Sequence, residues 1–391
     1  MTPETTLRPR RRSIWMLVAL AIVLNAGACD RAEPVAAAPA SKNAPLLFPF
    51  SLSDAAPKWN QAYQRALRDR LATLAQRDDA ISQLDIVRLQ PLLDGYYTAP
   101  PTGVHQERER ALRRAQALAA PGDDTPFWYE AAICAHAEPM PGTQCDPNPA
   151  LAHLQRSDAD NAAVWLMSAD TAAARGDQAR IDTALLHAAK ARRYDIRYGR
   201  NATETMRALG ELELPALDEP ARAVLNSDGL LADANLHDAR MALAGGAFPL
   251  PSPLAFQRRC RTAAAAPAGT DAELHAACTA IATRMADSDT LIGQMFGLTV
   301  MAQLSARSAD GAAWRERLRT HYWQSAHLQQ RPNLIRDLPR VWRVGEVATF
   351  AERLKAAGLD RPPPDWLPES PLPRSLVLTG RYIDPPPAAQ P

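Results

Sequence analysis

The sequence is poor in the residues that build sheets. Valine and isoleucine together number 23, against 76 alanines and 46 leucines, a ratio that favours helix on intrinsic propensity. It also lacks an excess of charge of either sign. Lysine plus arginine total 44 and aspartate plus glutamate 43, so there is no global basic field of the kind nucleic-acid binders use, and DNA or RNA is not expected as a partner. No apolar run reaches the ~20 residues that a permanent membrane helix needs. Also missing are HExxH, GxSxG, the GxxxxGK[ST] phosphate loop and the GxGxxG dinucleotide loop. No catalytic residue can be named, and no cofactor or metal is expected. Asp158-Ala-Asp160 matches the start of a calcium loop, but Ala162 and Ala163 stand where further ligand and glycine positions would be, so it reads as the polar start of a helix. The 391 residues are enough for two or three folding units.

The segment 1–28 differs from the rest. Arg8, Arg10, Arg11 and Arg12 precede an uncharged apolar run over residues 14–24, a basic region followed by an apolar region about half the length needed to cross a bilayer. The run ends in Asn25-Ala-Gly-Ala-Cys29. Small residues there let a peptidase reach the backbone, and the thiol can accept a diacylglyceryl group. This resembles the lipobox of bacterial lipoproteins, with Ala26 where leucine is usual. The resemblance implies that Cys29 becomes the lipidated N-terminus of a chain on the periplasmic side of a Gram-negative cell membrane. Asp30 after it resembles an inner-membrane retention signal. The alternative is a secretory peptide cut near Ala28, which leaves Cys29 unmodified and the protein soluble in the periplasm. The segment 1–28 holds four arginines and the single acid Glu4, so the chain that follows it carries a slight excess of acid.

Four cysteines remain, an even number that suits an oxidising compartment. Cys260 and Cys278 bracket the breaker stretch Pro267-Ala-Gly-Thr270, and Cys134 and Cys145 bracket Pro139-Met-Pro-Gly142. Neither pair has zinc-ligand spacing. Two local disulfides, Cys134 with Cys145 and Cys260 with Cys278, are expected.

From Trp59, apolar residues recur at Tyr63, Ala66, Leu67, Leu71, Leu74 and Ala75, one face of a helix. Similar patterns predict helices near 104–119, 126–137, 160–175, 178–191, 201–211, 235–244, 253–265, 271–287, 289–305, 310–328 and 345–357. Thr270 with Glu273 and Asn201 with Glu204 read as helix starts. Residues 291–304 are apolar nearly all round and should be buried, with Gly293 and Gly297 on one face where another helix can approach closely. The stretch 361–391 is dense in proline, including Pro362 to Pro364 and Pro385 to Pro387, and reads as an extended tail. The expected organisation is a signal peptide at 1–28, a tether at 29–50, a repeat-like helical region at 51–245, a second helical region at 246–360 and a proline-rich tail at 361–391.

Residues 161–193 join two helical patterns through Arg175-Gly-Asp177, with Trp165, Ala169, Gly176, Leu185 and Ala188 at offsets of 4, 11, 20 and 23 from the tryptophan. This resembles a tetratricopeptide repeat. Ala172, Ile181 and Arg193 depart from the usual tyrosine, small residue and proline. A degenerate copy starts near Trp128. The resemblance implies an all-α, irregular solenoid of stacked hairpins and protein binding on a concave face.

Two basic-aromatic clusters stand out. Arg192-Arg-Tyr-Asp-Ile-Arg-Tyr-Gly-Arg200 follows the repeat-like unit, and His321-Tyr-Trp323 with Arg336, Arg340, Trp342 and Arg343 forms a looser group. Arginine and tyrosine anchor interfaces through bidentate hydrogen bonds and rigid contact area. Arg193, Tyr194, Arg197 and Tyr198 are the binding candidates. The expectation is a non-enzymatic envelope scaffold that binds another protein; a cell-wall or glycan hydrolase and a binder of anionic glycan are the alternatives.

Overall fold

The computed structural model describes residues 55–94, 96, 103–135, 145–227, 233–246, 249–267, 270–328 and 334–382. The expected signal segment, Cys29 and the whole of the tether lie outside them. The described residues form seventeen α-helices and no strand. In order these are α1 Pro57–Ala75, α2 Ala80–Leu89, α3 Val104–Leu118, α4 Thr125–Cys134, α5 Asn148–Ser157 and α6 Ala162–Ala173. They continue as α7 Gln178–Lys190, α8 Tyr198–Gly210, α9 Glu219–Ser227, α10 Leu236–Gly246, α11 Leu254–Ala265 and α12 Ala272–Ala286. The last five are α13 Leu291–Leu304, α14 Gly311–Leu328, α15 Leu334–Val344, α16 Glu346–Ala356 and α17 Pro371–Thr379.

Local chemistry explains many of the boundaries. Asp79 caps α2 by accepting the Ser82 amide at 2.8 Å, Asn161 caps α6 and Asp177 caps α7 after Gly176 at φ +68°. Each carboxylate or amide oxygen satisfies an amide that the first turn leaves without a partner. The expected starts at Asn201 and Thr270 are corrected. Asn201 lies inside the first turn of α8, which begins at Tyr198 behind a left-handed Arg197. Asp271, not Thr270, precedes α12, and its side chain makes no capping bond.

The tail is also corrected. Residues 371–379 are a helix that packs on α14 and α13, with Leu376 and Val377 buried against Leu298, Ala302 and Leu318. Its prolines, Pro371 and Pro373, fall in the first turn, where the missing N–H groups have no intrahelical partner to lose.

Helices adjacent in sequence pack as hairpins: α2 with α3, α4 with α5, α6 with α7, and α12 with α13. The hairpin of α6 and α7 is stacked at one end by Trp165 on His187, with ring centroids 4.4 Å apart. One buried cluster joins Leu166, Leu185, Phe256, Ile281 and Phe296, drawing on α6, α7 and α11–α13, so the core runs across the expected boundary at 245/246. A second cluster packs Tyr63, Leu67 and Leu74 of α1 with residues of α2, α3, α8 and α10. The apolar α13 lies inside this arrangement, packed by α11, α12, α14 and α17. At Gly297 a Cβ would reach 2.6 Å from both Ala282 O and Met285 C of α12 and closer still to Ala286 N. Only glycine permits this approach of two backbones.

The four cysteines pair at disulfide distance: Cα–Cα is 5.5 Å for Cys134–Cys145 and 5.6 Å for Cys260–Cys278. The second pair links α11 to α12 and is fully buried.

Candidate functional site

The segment from Arg192 to Arg200 comes together in space but turns mostly inward. Arg197, held at φ +55°, places its guanidinium 4.6 Å from the Trp128 ring centroid and 2.9 Å from Asp158 Oδ2, with Asp124 Oδ2 3.9 Å from the same nitrogen. Asn161 closes the turn, accepting the Asp195 amide at 3.0 Å and donating to the Asp195 carbonyl at 2.9 Å. Tyr194 packs between two core clusters, and burial raises its hydroxyl pKa. Tyr198 hydrogen-bonds Glu346 at the start of α16. Of the four candidates only Arg193 is exposed, and it is paired with Asp158 and Asp195. The expected docking patch is therefore corrected to an internal junction. The residue types that anchor interfaces here anchor α4, α5, α6, α8 and α16 to one another.

Around this junction lie carboxyls whose environments disfavour charge. Asp170 is fully buried, accepts the Ala255 amide at 2.7 Å at the start of α11, and has its pKa raised well above the usual range by burial. Asp289 is raised by burial and by Asp195. Glu346 accepts the Leu291 amide at 2.8 Å, so it caps α13 from another helix; burial, with Asp289 beside it, pushes it up to about 7. Asp170 and Glu346 thus each hold the start of another helix in place. Among the described residues no three His, Cys, Asp or Glu side chains are placed to hold a metal ion.

The second basic-aromatic cluster builds a surface feature. His321 is buried, its pKa lowered to about 4 by desolvation, and Tyr322 packs toward α17. Trp323 faces the segment after α16, donating from Nε1 to Leu359 O at 2.9 Å and meeting Trp366 edge-on at 5.2 Å. Gln324 donates to Asp360 O at 3.0 Å, and Arg319 donates to Pro363 O at 2.7 Å. Residues 359–366 are thereby strapped along α14. Arg336 pairs with Asp238 at 3.1 Å, and Arg340 with Glu352.

Between α14, α16 and this strap runs a groove of about 790 Å³. Glu316, Thr320 and Gln324 line one wall at helical spacing, Ala351, Glu352 and Lys355 the other, and Asp360, Arg361 and Pro362 close one side. The row from Glu316 to Gln324 is about 12 Å long at the rise of an α-helix. Glu316 is held by Arg319 through two contacts at 2.7 and 2.8 Å. A smaller hollow of about 410 Å³ lies at the start of α1, lined by Lys58, Asn60, Gln61, Gln64, Arg68 and Asp94. Sequence reasoning missed both. The available signal for the groove was the polar row Glu316, Thr320 and Gln324 on a helix otherwise read for its aromatic residues.

No protein-family model, curated protein or solved structure matches this chain.

Proposed function

We propose that this protein is a lipid-anchored helical scaffold of the Gram-negative envelope that binds an extended segment of another protein in the groove between α14 and α16. The groove carries the reading. Its walls are side chains of two packed helices, polar except for Ala351, and its third side is a strap fixed by side-chain to carbonyl hydrogen bonds. A preformed concave surface of this kind lets a partner bind without first ordering the site. Anchoring through Cys29 is supported by the basic and apolar run ending in Ala-Gly-Ala-Cys29 and by two cysteine pairs at disulfide distance. We place the helix pairs α4–α5 and α6–α7 as neighbouring tetratricopeptide-like units.

The test fills the groove. Affinity capture of the mature protein from its own envelope is compared for wild type and Ala351→Trp, a substitution at an exposed position. Loss of the captured partner with an unchanged melting temperature is expected, and full capture by the variant refutes the groove. Fatty-acid labelling in cells tests the anchor at Cys29. A second reading, a cell-wall or glycan hydrolase, draws on Glu316, Glu352 and Asp360 lining the same groove. It requires turnover of envelope glycan that is lost in Glu352→Gln, whereas the scaffold reading requires none.

A further inference from the structure

The first helix after the tether has an unusual charge distribution. α1 carries Lys58, Arg65, Arg68 and Arg70 against the single acid Asp69, in a chain that after the segment 1–28 has more acids than bases. Arg70 is turned sideways into an ion pair with Glu211. The buried face of α1 is the apolar series Trp59, Tyr63, Leu67, Leu71 and Leu74. On the opposite face Lys58, Gln61, Arg65 and Arg68 are exposed, at intervals of three, four and three residues that keep them in one stripe. Other arginines, such as Arg88, Arg207, Arg259 and Arg336, have a carboxylate within reach. The three cations of this stripe have none at ion-pair distance among the described residues. Asp69 lies at the margin of the stripe, and Asp94, at the edge of the adjoining hollow, already accepts Asn60 Nδ2 at 2.8 Å. Lys58 and Arg68 both line that hollow, together with three side-chain amides.

We propose that this face of α1 rests on the anionic phospholipid headgroups of the membrane that holds Cys29. The inference builds on the anchored reading given above, and two features converge on it. Lys58, Arg65 and Arg68 have no ion-pair partner among the described residues and are complementary to phosphate-bearing headgroups. The stripe lies on the first described helix after Cys29, which begins at Pro57. The two acyl chains of a diacylglyceryl group hold the protein on the membrane, and the stripe, tethered there at high local concentration, sets which face meets it. The docked face fixes which way the molecule points. The groove between α14 and α16, far along the sequence from the anchor, is left to its partner.

The test separates stripe from lipid by using the full mature chain with Cys29→Ser, which cannot be acylated. Flotation is measured with vesicles of phosphatidylethanolamine and phosphatidylglycerol, and with neutral phosphatidylcholine, at about 20 mM and about 300 mM salt. Binding to the anionic vesicles at low salt, its loss at high salt, and none to neutral vesicles are expected. Each cation at such a surface multiplies partition about fivefold, so Lys58→Gln with Arg65→Gln and Arg68→Gln should lower it on the order of 100-fold. Lys355→Gln with Arg361→Gln, which removes two cations at the groove, should leave it unchanged. All the replaced residues of α1 are exposed, so circular dichroism and melting temperature should not move. Equal flotation of the triple variant and its parent overturns the proposal, as does equal binding to neutral vesicles, or capture of an acidic protein by the stripe without vesicle binding. Acylation of Cys29 is read separately in cells. A labelled Cys29 with no vesicle binding by the unacylated chain removes the docking face and leaves the anchor; vesicle binding without a labelled Cys29 does the reverse.

Discussion

Replacing Gly297 by alanine should destabilise the protein although alanine is the better helix former. Gly297 lies in the middle of α13, where the propensity difference favours alanine by about 1 kcal/mol. Against this, the added methyl would sit 2.6 Å from Ala282 O and Met285 C, and closer to Ala286 N. These are backbone atoms of α12, and they cannot rotate away as a side-chain tip can. Either α12 and α13 separate along their length or the methyl is compressed. α13 is buried between α11, α12, α14 and α17, so separation loosens contacts on both sides of it. Overpacking of this kind costs about 1–3 kcal/mol, sometimes more, and a site with no room to relax belongs at the upper end. After the propensity gain, a net loss of about 1–2 kcal/mol is expected, a fall of a few °C in melting temperature. The control is Gly210→Ala at the end of α8, where nothing lies within 4 Å of the new methyl and φ is negative. That change should raise stability by about 0.5 kcal/mol. The assay is thermal unfolding of both variants beside wild type. A Gly297→Ala protein as stable as wild type, or more so, would show that the two backbones do not meet there and would refute the packing described for α12 and α13.

Asp158→Ala leaves Arg197 buried against Trp128 without its nearest carboxylate and should cost about 3–5 kcal/mol in chemical denaturation. Changing Asp158 to Leu together with Arg197 to Met should recover most of that loss, and a neutral single variant would contradict the internal junction. Glu346 binds its proton more tightly folded, at about 7, than in an unfolded chain near 4.5. Between those values the folded state holds a proton that the unfolded state has released, so stability should fall as pH rises from about 4.5 to about 7, by up to about 3 kcal/mol. Glu346→Gln should flatten that slope in melting curves taken across the range; an identical slope in the variant argues against it. Opening the bond between Cys260 and Cys278, by reduction or by substituting both with alanine, should lower stability by about 3 kcal/mol from loop closure alone. Unchanged denaturation with and without reductant would show that the pair is not bonded.

Sequence alone determined the helical class and most helix positions, because the periodicity of apolar residues is local: the face Trp59, Tyr63, Leu67, Leu71 and Leu74 lies in consecutive turns of one segment. The same holds for the cysteine pairs, since a hairpin turning at a breaker sequence brings residues equidistant from it together. It was silent on α2, α5, α9, α15 and α17. In α15 an internal proline, Pro339, argues against helix. In α17 the prolines that suggested an extended tail are confined to the first turn, and burial of Leu376 and Val377 against α13 and α14 holds the rest. The direction in which a polar side chain faces depends on what covers it, and no local pattern carries that information. Arg197 and Tyr198 have the composition of a docking surface, yet they are enclosed by residues far from them in the chain, Trp128 and Asp158 from earlier turns of the fold and Glu346 from a much later helix. The groove likewise exists only because Trp323, Gln324 and Arg319 of α14 tie down a strap that the chain reaches after two further helices. A cavity is a relation between segments, and tertiary packing alone decides which segments meet.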